Sequence, residues 1–102
     1  MRTLNRAASD VLVSHGVRAA TDVTGFGVLG HGLEMARASS TRFVFEAAAL
    51  PALPGALELA AAGVETGGAA HNRRFVAMAL EVGKGVSAEM VALAHDPQTS
   101  GG

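Results

Sequence analysis

Gly25, Gly27 and Gly30 fall within residues 21–31, "TDVTGFGVLGH", and constrain this chain more than any other feature. Glycines this close let a backbone bend sharply and approach another group closely. The apolar positions that follow, Val28, Leu29, Leu33, Met35 and Ala36, predict a helix ending near Ser39. The segment therefore reads as a tight turn feeding a helix N-terminus, where unpaired N–H groups favour anions. The three glycines also spell G-x-G-x-x-G, the turn that cradles a dinucleotide pyrophosphate, and Glu46 lies about twenty residues further on.

The residues before the turn point to a different chemistry. A dinucleotide turn follows a buried apolar strand, whereas Thr21, Asp22 and Thr24 occupy that position here. A carboxylate at Asp22 repels a pyrophosphate unless a cation stands between them. Asp22 also offers the hard oxygen that Mg²⁺ prefers, and magnesium takes few carboxylates because phosphates and waters complete its octahedron. The same residues read equally well as a helix cap and a simple turn.

The remaining pattern alternates between helix and strand. Leu4, Ala7, Ala8, Val11 and Leu12 form one helical stripe, so a first helix is expected over residues 2–15, closed by Gly16. Residues 18–23 read as a short strand or extended entry. Phe43 and Phe45 alternate with Arg42, Val44 and Glu46, predicting a strand over 42–48. Pro54 suits the first turn of a third helix through Ala62, with Gly63 after it. Residues 66–72, "TGGAAHN", read as a small-residue loop, and the following "RRFVAMALEV" is ambiguous. Ser87 is placed to cap a last short helix with Glu89 in its first turn. With neither repeat nor linker, the expectation is a single α+β or α/β layered domain.

A length of 102 residues allows one small core, and a net charge of −1 gives no electrostatic case for nucleic acid or an anionic membrane surface. The absence of cysteine excludes disulfides and thiol chemistry within this chain. Pro51, Pro54 and Glu58 interrupt the most apolar stretch, 47–64, so no membrane span is expected, and a cytoplasmic setting is. His15, His31, His71 and His95 lack metal-site spacing and read as structural. Gly67 and Gly68, followed by Asn72, Arg73 and Arg74, can form a backbone concavity with basic side chains for an anion. Thr99, Ser100, Gly101 and Gly102 supply hydroxyls and flexible backbone suited to phosphate. "DPQTSGG" is turn chemistry that leads into something further, so the domain is expected to be truncated at its C-terminal end.

"ATDVTGFGVLGHGLEMA", "LPGALELAAAG", "GG…NRRF" and "DPQTSGG", in this order and at these separations, resemble the C-terminal domain of the selenophosphate synthetase (selenide, water dikinase) family. The resemblance runs from Leu4 to Gly102 and extends to the wider aminoimidazole ribonucleotide synthetase superfamily. It implies a layered α/β/α, partly ferredoxin-like fold. It further implies an ATP-dependent, Mg²⁺-using enzyme that makes selenophosphate, AMP and phosphate from selenide, water and ATP. Asp22 is then a magnesium ligand, and Gly67, Gly68, Asn72, Thr99 and Ser100 belong to the phosphate site. The other metal carboxylates, the catalytic Cys or selenocysteine and the catalytic lysine lie in a preceding N-terminal domain absent from this chain, through which the parent dimerises. Two departures stand out. Gly68-Ala69 replaces a usual Gly-Gly-Thr, and Gly32 stands where leucine is common, with an expected weakening of helix packing by about 1 kcal/mol relative to Ala. A non-catalytic binding module and a dinucleotide-binding turn are the alternative readings.

Overall fold

The apolar stripe that begins at Leu4 produces α1 (Arg6–Ser14) in the computed structural model, which describes residues 4–97. Gly16 adopts φ +66°, and its N–H donates to the Val13 carbonyl at 3.0 Å, closing the helix with the left-handed residue that its position predicted. The glycine turn then delivers the chain into α2 (Gly27–Ser39), which ends on Ser40 at φ +52°. Three short helices follow: α3 (Ala56–Ala61), α4 (Ala69–Val76) and α5 (Ala88–Ala94). Pro54 precedes α3 by a residue in a turn led by Gly55 at φ +84°, and Gly63 at φ +82° follows it.

The helical periods were thus faithful, and the strands were not. Residues 41–46 form neither helix nor ladder, with Glu46 extended, and Ala47–Ala49 turns as a 3₁₀ helix. Residues 17–24 are likewise without strand pairing. Alternation at Phe43 and Phe45 keeps the chain extended, yet a strand also needs a neighbour's backbone groups, and no described segment supplies them. Among the described residues the domain is therefore helix-rich with no strand, and the expected sheet layer is not seen. The small-residue loop is also shorter than expected. Only residues 66–68 turn, because Ala69 and Ala70 are strong helix formers and begin α4.

Packing runs on small side chains. Ala69, Val76 and Ala94 are the buried apolar residues, with α2 resting on α4 and α5 and α3 resting on α5. Gly27, Gly30 and Gly32 are buried along α2 and permit this approach. At Gly32 a Cβ would sit 2.5 Å from Cζ of Phe45, so the missing side chain makes room for that ring. This corrects the expectation of a simple loss, since leucine at Gly32 would collide with the ring as it is placed here.

Much apolar surface stays open. Val11 and Val13 of α1 are exposed, as is Leu4 just before it, and no residue of α1 is buried. The chain presents 7418 Å², against about 5,400 Å² for a folded monomer of its mass. An open groove of about 1120 Å³ runs between α2, α5 and the segments 41–48 and 79–86, lined by Leu33, Phe43, Phe45, Leu80, Val86 and Val91.

The Ser87 cap is the local feature most directly carried from sequence to structure, since its Oγ accepts from the Met90 N–H at 3.3 Å. Ser87→Ala is expected to lower stability by about 1 kcal/mol in urea unfolding. An unchanged midpoint would show that this bond contributes nothing.

Candidate functional site

The glycine turn is held from both sides. Gly27 takes φ +70°, and its N–H donates to the Thr24 carbonyl at 2.9 Å. The Thr24 hydroxyl lies 3.1 Å from Nε2 of His31, whose Nδ1 is 3.5 Å from the Glu34 carboxylate. The Phe26 ring stands 5.4 Å from that imidazole and stacks on Phe75 of α4 at 5.9 Å. His31 therefore serves structure, binding the turn back onto the helix that it opens.

The other wall is the end of α5. A Cβ on Gly27 would lie 3.1 Å from the Ala94 carbonyl oxygen and 3.2 Å from that of Asp96. The face that a dinucleotide turn leaves open for pyrophosphate is here filled by protein backbone. At Gly30, likewise, a Cβ would meet Phe26 Cβ at 2.7 Å. Both glycines are packing glycines, and the dinucleotide reading is corrected on that ground.

Asn72 joins the two walls. It is 3% exposed, and its Nδ2 donates to the Gly25 carbonyl at 3.0 Å and to the His95 carbonyl at 2.9 Å. Both amide hydrogens are thereby occupied. Two further contacts hold the same junction. The Thr66 hydroxyl donates to Oδ1 of Asp96 at 3.0 Å, and a Cβ on Gly68 would lie 2.8 Å from Pro97 Cγ. His95 is 1% exposed and lies 2.6 Å from the Val91 carbonyl through Nδ1. Because a carbonyl only accepts, Nδ1 carries the proton, and Nε2 remains a buried acceptor with no partner among the described residues.

The structure thus brings Gly68 and Asn72 together with the Gly25–Gly27 turn and with Asp96 and Pro97. Gly67 is exposed beside them, with open space where a side chain would stand. Thr99 and Ser100 lie outside the described residues. Asp22 is exposed three residues before Gly25, and its carboxylate has no partner among the described residues. It caps nothing, since the N-cap of α2 is Phe26 and no side chain bonds that end. Among the described residues no three acidic or histidine side chains are close enough to hold a metal, so Asp22 stands as a lone carboxylate. The basic concavity is also reduced, because Arg73 pairs with Glu65. Sequence reasoning missed the Thr66–Asp96 bond and the burial of His95, neither of which leaves a periodic signal.

No helix among the described residues is long and apolar enough to cross a membrane. Comparison with known proteins matches residues 1–94 to the family described as AIR synthase related protein, C-terminal domain. The chain is 48% identical over 99 residues to a protein of Nitratidesulfovibrio vulgaris named selenide, water dikinase, covering 97% of this chain and 28% of that one. Proteins of the same name from Caldanaerobacter subterraneus and Pseudomonas straminea are 41% and 43% identical, over 100% and 97% of this chain and 29% and 28% of theirs. The chain thus spans under a third of the length of these curated relatives. No solved structure matches it.

The first two glycines of the turn separate by substitution. Gly27→Ala meets both a left-handed φ and two carbonyls, and is expected to cost at least about 2 kcal/mol. A Cβ on Gly25 meets open space, so Gly25→Ala is expected within about 0.5 kcal/mol of wild type. Urea unfolding of the pair checks this, and equal midpoints would overturn the packing role of Gly27.

Proposed function

The chain belongs to the AIR synthase related protein family, matching its C-terminal domain, and from that premise we propose that it forms part of a selenide, water dikinase. The observation that carries the reading is the 48% identity across 97% of the chain to a protein of that name. On this reading the complete enzyme is cytoplasmic and homodimeric, and it uses ATP and selenide to make selenophosphate. The nucleophile, the catalytic lysine and the remaining metal carboxylates come from an N-terminal domain. The extended segments 17–24 and 41–46 become strands of a layered α/β/α arrangement once backbone partners are supplied.

A magnesium ion fits the residues present as a shared ion. Asp22 is exposed, has no protein partner among the described residues and offers one hard oxygen ligand. When bound, Mg²⁺ neutralises phosphate charge during phosphoryl transfer. Asp22 holds the ion from this side, and the Gly25–Gly27 turn fixes the backbone that carries Asp22. Gly67 and Gly68 offer backbone N–H groups at the start of α4, and Thr99 and Ser100 offer hydroxyls, for phosphate oxygens.

Two outcomes are expected. The 102-residue chain alone forms no AMP from ATP in the presence of selenide, and turnover above background would contradict the assignment of the nucleophile elsewhere. In the complete enzyme, Asp22→Asn raises the Mg²⁺ needed for half-maximal activity by at least about tenfold, the scale on which even groups behind a metal ligand act. Melting in excess EDTA stays at the wild-type temperature, because the carboxylate supports no other contact among the described residues. A wild-type magnesium titration would remove Asp22 from the metal site.

A further inference from the structure

We propose that Asn72 is a positioning residue for this site, acting through the backbone of the glycine turn, with no ligand contact of its own. The inference rests on the reading of Asp22 as a magnesium ligand and adds how that carboxylate is aimed.

The Asn72 amide reaches partners 47 and 23 residues away in sequence, the carbonyls of Gly25 and His95. One planar group thus sets the separation between the segment bearing Asp22 and the segment that leaves α5 through Asp96 and Pro97. At 3% exposure its N–H groups are closed to solvent and already occupied, which leaves no donor for a phosphate. The neighbouring contacts make the setting stiff. Gly27 abuts the Ala94 and Asp96 carbonyls, so the two segments cannot slide together to compensate for a lost bond, and Gly68 against Pro97 braces the second segment on α4. The opposite failure, splaying apart, is what the amide prevents. A metal site divided between protein segments depends on such fixed separations, and partners behind the ligand act on affinity about as ligand orientation does.

The test compares Asn72→Ala and Asn72→Asp with wild type and with Asp22→Asn in the complete enzyme. Asn72→Asp keeps the shape but sets oxygen against both carbonyls, and Asn72→Ala serves if that variant does not fold. Amide exchange is followed in peptides covering 22–30, 92–97 and 56–62, beside magnesium titrations of activity. Faster exchange in the first two peptides together, none in the third, and a Mg²⁺ half-saturation raised about tenfold are expected. A purely structural role lowers the maximal rate and leaves half-saturation unchanged, which overturns the proposal. Unchanged exchange with a raised KM for ATP restores Asn72 as a direct ligand contact and also overturns it. If Asp22→Asn leaves the magnesium titration at wild type, the metal reading itself fails, and that result is separate from anything seen at Asn72.

Discussion

The Asn72 amide donates to two backbone carbonyls, those of Gly25 and His95, and so ties the glycine turn to the end of α5. The His95 carbonyl is the buried one of the two, and left without a donor such a group costs about 1–3 kcal/mol, so the amide contributes to holding the junction together. The rest of the fold leans on it. The helices run from 6 to 13 residues, lengths at which isolated helices are marginal in water. Their stability must come from tertiary contact, through small buried side chains and through glycines that admit close neighbours: backbone at Gly27, the Phe26 and Phe75 rings at Gly30, and Pro97 at Gly68. Close approach of this kind buries polar groups along with apolar ones, which is why a polar side chain stands at its centre.

The sequence was most readable where a signal is local. Apolar spacing located α1 and α2, Ser87 with Glu89 marked the start of α5, Gly16 marked a left-handed cap and Gly63 a helix end, because each depends on residues within a turn or two. The strand expected at 42–48 depends on a neighbour, and alternation alone records the extended conformation without the partner. The junction was the least readable part. Asn72 was noticed as a residue near two glycines, yet its partners are carbonyls, which carry no residue-type signal at all. Asp22 was legible as a carboxylate before a turn, and the structure adds that it caps nothing and faces solvent. Gly30 and Gly32 could not be read as packing glycines until Phe26 and Phe45 were placed against them.

The open apolar surface has a direction. The α1 face and the groove walled by Phe43 and Phe45 are apolar, whereas the junction of the glycine turn, α4 and α5 is polar and closed on itself. Exposed apolar area on this scale marks surfaces that are covered in use. A domain that spans 28% of a relative's length leaves ample chain for such covering. The polar junction is thus organised within this chain, while the faces around it depend on what lies against them.

His95 shows which contacts the junction values most. Its imidazole donates through Nδ1 to Val91, its carbonyl accepts from Asn72, and Nε2 is left buried without a partner among the described residues. An apolar side chain in this place would avoid that unsatisfied acceptor. It would also lose the bond from Nδ1 to the Val91 carbonyl, one of the four that a helix end leaves unpaired. The bond to Val91 lies in the last turn of α5, next to the Ala94 and Asp96 carbonyls that stand against Gly27. The orphaned Nε2 is therefore the local cost of a helix end held firmly, on the side of the domain where the Asp22 segment is fixed.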